Sequence, residues 1–131
     1  MQKAYSDLCA AQILVTHNAI VRDAAVFHCQ QAAEKALKAF LVWQAVPFDR
    51  VHNLTYLLDL CEVENGDFAT LREVAESLTP YAVEVRYPGA SLWLSAADVA
   101  EALIGAEAVW NLVLQLLPTE LGASITEEVI E

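Results

Sequence analysis

The chain has 131 residues, 56% of them hydrophobic, with only four glycines and four prolines. That is one domain, able to bury roughly two-thirds of its unfolded surface without staples. Eighteen acidic against seven basic residues give a net charge of −11, which excludes a whole-surface affinity for DNA or RNA and leaves only a local basic pocket for such ligands.

A first helix is predicted from Lys3 to about His17, with Leu8, Ala11, Ile13, Leu14 and Val15 as its apolar side. A short connection around residues 16–20 contains Asn18, a residue that tolerates turn geometry. The stretch from Ala24 to Trp43 then dominates the sequence. Ala, Leu, Lys, Glu and Gln fill it, and all of them enter a helix at little entropic cost. Val26, Cys29, Ala33, Leu37 and Phe40 recur at helical spacing, with Ala25, Ala32, Ala36 and Trp43 beside them. His28, Gln31, Glu34, Lys35 and Lys38 form the opposite, polar stripe, and Glu34 precedes Lys38 by four, the favourable order for a helical ion pair. Pro47 blocks continuation of this helix and pushes Val46 toward an extended shape.

A third helix is predicted from His52–Asn53, with Asn53 as its N-cap and Leu54, Leu57, Leu58 and Cys61 as its buried stripe. Asp67 is placed to cap a fourth helix bearing Phe68, Leu71, Val74, Ala75 and Leu78. Thr79–Pro80 reads as an N-cap followed by proline at the first helical position, a kink and restart that carries the helix on to Arg86 before Pro88–Gly89. Ser95 with Asp98 forms a variant capping box for a last helix to Leu117, its buried side being Val99, Leu103, Ala106, Trp110, Val113 and Leu117. The segment 119–131 is an acidic tail, so the folded domain is expected over residues 1–118. Five helical segments with short loops, and no stretch of period-two alternation, predict an all-α fold, an up-and-down antiparallel bundle.

Cys9, Cys29 and Cys61 show no metal-ligand spacing, and Cys29 and Cys61 lie on apolar faces where a reduced thiol behaves as a small hydrophobe. There is no basic region followed by an apolar run at the N-terminus, and no apolar run reaches the roughly 18 residues that a membrane helix needs. The expectation is a cytoplasmic protein without membrane contact. The Glu-x-x-His pattern of di-iron bundles and a glycine-rich phosphate loop are both absent from the sequence, so no metal or cofactor is implied.

Three motifs in order, QQAAEKALKA at 30–39, HNLTYLLDL at 52–60 and Arg86-Tyr87-Pro88, resemble the hallmark helices of the HEPN domain. The similarity extends over about residues 3–117. It implies a helical bundle that commonly forms a homodimer and serves as partner of a small nucleotidyltransferase, as a nucleotide- or RNA-binding module, or as a metal-independent ribonuclease toxin. The ribonuclease members carry Arg-x(4–6)-His late in the bundle. Here the histidines stand only at 17, 28 and 52, so none follows Arg86.

Arg22 and His28 have the right spacing, but six residues place them about 240° apart on one helix, so the sequence assigns no catalytic residue. The alternative for this pair is a surface arginine and an interfacial histidine. Binding candidates are Gln31, Lys35, Lys38, His52, Arg86 and Tyr87. An arginine beside an aromatic suits phosphate and base recognition, and lysines on the central helix extend such a pocket if the fourth helix packs alongside. Each has a plainer alternative: His52 as a local cap, Arg86 as a complement to a helix C-terminus, and Lys38 as a partner of Glu34. The apolar residues Leu92 and Trp93 and the alanine faces are the candidate dimer or partner surfaces.

Overall fold

A computed structural model describes residues 1–15, 22–84 and 94–118, and every regular element among them is helical. The elements are α1 (Gln2–Val15), α2 (Arg22–Trp43), α3 (Leu54–Glu64), a 3-10 segment (Gly66–Leu71), α4 (Arg72–Leu78), α5 (Tyr81–Glu84) and α6 (Ala96–Leu116). The organising role of the central helix holds. α2 packs against α1, α3, α5 and α6, and more than half of its 22 residues are buried. Val26, Cys29, Ala33, Leu37 and Phe40 are all in the core, as their spacing requires. The alanine faces are consumed inside the chain: Ala25, Ala32, Ala33 and Ala36 are buried against neighbouring helices, so they offer no docking surface.

Capping fixes the ends. Asn53 accepts hydrogen bonds from the backbone N–H groups of Thr55 and Tyr56 at the start of α3. At the start of α6, the Ser95 N–H donates to Asp98 Oδ2 (2.9 Å) and the Asp98 N–H donates to Ser95 Oγ (3.1 Å), a complete reciprocal box. The Ser95 N–H, and after it the Ser95 hydroxyl, stabilise the Asp98 carboxylate and hold its carboxyl below the usual range. Thr79–Pro80 does interrupt the fourth segment, separating α4 from α5. The Thr79 hydroxyl, however, accepts from the Leu54 N–H and donates to the Ala75 carbonyl, tying α3 to α4 instead of capping α5.

Four local expectations are corrected. Asn65, not Asp67, is the cap after α3, because its side chain accepts from the Asp67 N–H and starts a 3-10 turn before α4. Ile13 is 61% exposed, since the buried line of α1 is Ala4, Leu8 and Ala11. Leu103 and Val74 are only half-buried; on α6, Ala102, Gly105 and Val109 carry the contact. A Cβ on Gly105 would lie 3.0 Å from a methyl of Val74, so the absent side chain is what lets α4 approach. Fourth, α6 has the length and mean hydropathy (1.3) of a membrane span, the one helix among the described residues that does. Its buried face meets α1, α2 and α4, which accounts for that composition as a core helix.

The helix ends set the geometry of the site. The Arg22 guanidinium donates to the Leu94 carbonyl (3.0 Å), bringing the starts of α2 and α6 together, while Leu117 lies beside Trp43 at their other ends. α1 runs against both, so its first turn adjoins the last turns of α2. α2 stops in a Schellman motif. The Val46 N–H donates to the Leu41 carbonyl and the Ala45 N–H to the Val42 carbonyl, with Ala45 in the left-handed region at φ 58°. The chain then runs back along α2, and His52 arrives beside Gln30 and Glu34.

Candidate functional site

Part of the polar stripe of α2 is inside, with Gln30 beside it. Gln30, Gln31 and Glu34 are buried, and among the described residues no buried side-chain nitrogen or oxygen lacks a partner. Glu34 is the hub. Its Oε1 accepts from Gln30 Nε2 (3.1 Å) and bonds His52 Nδ1 (2.9 Å), and its Oε2 accepts from Lys38 Nζ (3.2 Å). Gln30 Nε2 also donates to the His52 carbonyl, and Gln31 Nε2 donates to Gln30 Oε1. A buried carboxylate persists only with such donors around it.

A second carboxylate repeats the pattern. Asp7 of α1 bonds His28 Nδ1 through Oδ1 (2.8 Å) and Lys35 Nζ through Oδ2. His28 and Lys35 are seven residues apart, two turns along one face of α2, and Asp7 bridges them. Each of these two acids, Glu34 buried and Asp7 half-buried, therefore holds one histidine and one lysine.

Both lysines border an open groove of about 700 Å³ between the first turn of α1, the last turns of α2 and the end of α6. Lys3, Lys35 and Lys38 stand around it, and Ala4, Ala39, Val42, Trp43 and Leu117 form its apolar surface. Three of the chain's seven cations thus converge on one cleft of a strongly acidic protein. Asp7 and Glu34 offset two of those charges. The Lys3 ammonium makes no hydrogen bond or ion pair among the described residues, so it supplies the surplus. The size falls within the roughly 300–1,000 Å³ of small-ligand sites. Trp43, placed by its spacing beside the apolar line of α2, is 42% exposed; its ring makes a T-shaped contact with Phe40 at 6.0 Å and lines the groove. Lys38 also lies 5.9 Å from the Phe48 ring centroid.

The predicted residues divide accordingly. Lys35 and Lys38 line the groove, which α1 and α6 complete, not α4. Gln31 points inward and His52 is clamped by Glu34 instead of capping α3. Arg86 and Tyr87, and the loop residues Leu92 and Trp93, lie outside the described residues. Arg22 and His28 are committed to different partners, Leu94 and Asp7. Lys3, Trp43, Asp7 and Gln30 were missed. For Lys3 and Trp43 the sequence held one signal: in an antiparallel pair, the first turn of one helix meets the last turn of the next. Buried surroundings push the thiols of Cys29 and Cys61 up to about 12, so neither is a nucleophile at neutral pH. No group of metal-ligating side chains occurs among the described residues.

No curated protein and no solved structure matches the chain. The HEPN domain model matches residues 1–116, nearly the whole of the helical bundle described above, and the chain belongs to the HEPN domain family.

Proposed function

We propose that this HEPN domain binds a phosphate-bearing ligand, a nucleotide or the end of an RNA, in the Lys3–Lys35–Lys38 groove, and presents it as a homodimer to a small nucleotidyltransferase. The observation that carries the ligand reading is the convergence of three lysines and a half-exposed tryptophan on one cleft of a protein of charge −11. Ammonium groups suit phosphate as point charges. Trp43 offers a stacking face, worth about 1–3 kcal/mol per base. Asp7 and Glu34 fix the orientation of two lysines in advance, which lowers the ordering cost of binding. The nucleotidyltransferase partner and the dimer rest on family membership. Arg86 and Tyr87 are proposed to add to the same ligand.

Calorimetric titration with ATP and with a short single-stranded RNA tests the site. Trp43→Ala is expected to weaken binding about tenfold, from the loss of one stacked base. Lys3→Ala is expected to weaken it a few-fold at low salt and less at high salt. Because the Lys3 ammonium makes no hydrogen bond or ion pair among the described residues, unchanged affinity in that variant would overturn the placement. Arg86→Ala tests the Arg-Tyr-Pro segment separately. Recovery of the tagged protein at low salt, with the co-eluting proteins identified by mass spectrometry, tests the partner; a dimer with nothing attached argues against it.

A further inference from the structure

The groove has a second candidate occupant within the chain. Leu117 forms part of its surface, and the segment 119–131, outside the described residues, follows directly. In sequence that segment carries Glu120, Glu127, Glu128 and Glu131, with no lysine or arginine. Leu121, Ile125 and Val129 recur at every fourth position among these acids. The segment thus offers carboxylates and aliphatic side chains, and the groove offers three ammonium groups above Val42, Trp43 and Leu117. Reach is ample. Thirteen residues span roughly 20 Å as a helix and over 40 Å extended, whereas the α2 side of the groove, from Lys35 to Trp43, measures about 12 Å.

We infer that the acidic segment 119–131 is an internal ligand of the lysine groove and competes there with the phosphate-bearing ligand, an inference that rests on the groove being an anion site. The competition is electrostatic mimicry: carboxylates take the positions of phosphate oxygens, and the aliphatic residues cover the surface on which a base would stack. Tethering makes a weak contact effective, because a short linker holds the segment at an effective concentration in the millimolar range. Occupied in this way, the groove admits only ligands that displace the segment, such as those carrying several phosphates.

The test uses the full chain and a variant with all four glutamates of the segment changed to glutamine. Amide and indole NMR signals of Lys35, Lys38, Val42 and Trp43 are compared, and ATP is titrated into both proteins. The expected result is a displacement of those signals in the variant, their return when a synthetic peptide of residues 119–131 is added, and ATP binding about tenfold tighter than in the parent, as a millimolar tether predicts for a segment of roughly 0.1 mM intrinsic affinity. Superimposable groove signals in the two proteins, with no response to the peptide, overturn the inference. Signals that depend on protein concentration but not on the four glutamates assign the groove to a second copy and overturn it equally. Signals that move as expected while ATP binds neither protein uphold the segment as occupant but remove its competing role, and the phosphate-site reading fails separately.

Discussion

Glu34→Gln probes the polar network with almost no change in volume. The native carboxylate, 5% exposed, receives Gln30, His52 and Lys38. The amide keeps one acceptor oxygen for Gln30 and His52 and turns an NH₂ toward the Lys38 ammonium, a donor against a donor. Three bonds to a charged acceptor, at about 2 kcal/mol each, become two neutral ones at about 1 kcal/mol, a gross loss of roughly 4 kcal/mol. About half is recovered. Lys38 and His52 are 25% and 47% exposed and can rehydrate, and a charge no longer has to be desolvated. The net expectation is a destabilisation of roughly 2 kcal/mol at neutral pH. Read by urea denaturation, that lowers the midpoint by about 1 M for an m-value near 2 kcal/mol/M, and the melting temperature by roughly 8 °C. Lys38→Met alone should cost less than about 1 kcal/mol, its ammonium being partly in water. The two substitutions together should fall short of additivity, since each removes the same contact. An unchanged midpoint in Glu34→Gln, or strict additivity in the double variant, would refute the network as a stabilising unit.

Ala45→Gly should raise stability by about 0.5–1 kcal/mol in the same assay, because relief of a left-handed alanine at φ 58° outweighs the added freedom of glycine in the unfolded chain. With a thiol reagent at pH 8, Cys9 should react in the native state and Cys29 and Cys61 only on unfolding. Thiols near 12 are ionised there in about one molecule in ten thousand. Asp98→Asn should flatten the acid side of the stability profile. The folded carboxyl titrates below its unfolded value, so its contribution is complete above the ordinary Asp range and is lost as pH falls through the lower, folded value. Thermal melts of both proteins across that range check it: parallel profiles would show that the Ser95 box does not carry the shift.

Much of the fold was legible because it is written in local patterns. The Asn53 cap, the Ser95–Asp98 box, the break at Thr79–Pro80 and the buried line Leu54, Leu57, Leu58 and Cys61 each depend on residues within a few positions of one another. The three motifs also placed the chain in its family from residues alone. The misplaced cap at Asp67 came from the same local reasoning, applied two residues late. Asn65 offers the same kind of side-chain acceptor and stands first.

The site was less legible, and the reason is specific. A polar stripe on a helix announces a face, not what covers it. On α2 the stripe is covered from two sides by segments remote in sequence: α1 brings Asp7 to His28 and Lys35, and the chain returning from the Schellman turn lays His52 against Glu34. Spacing alone assigns Glu34 and Lys38 to an exposed pair worth a few tenths of a kcal/mol. Once Glu34 is enclosed, the same pair becomes the outer edge of a buried network. Lys35 and Lys38 then acquire a direction, because each is tied from within by an acid and borders the groove. Charge that composition describes as sparse is thereby concentrated at one place. Local concentration, not total charge, decides whether an acidic protein can hold an anion.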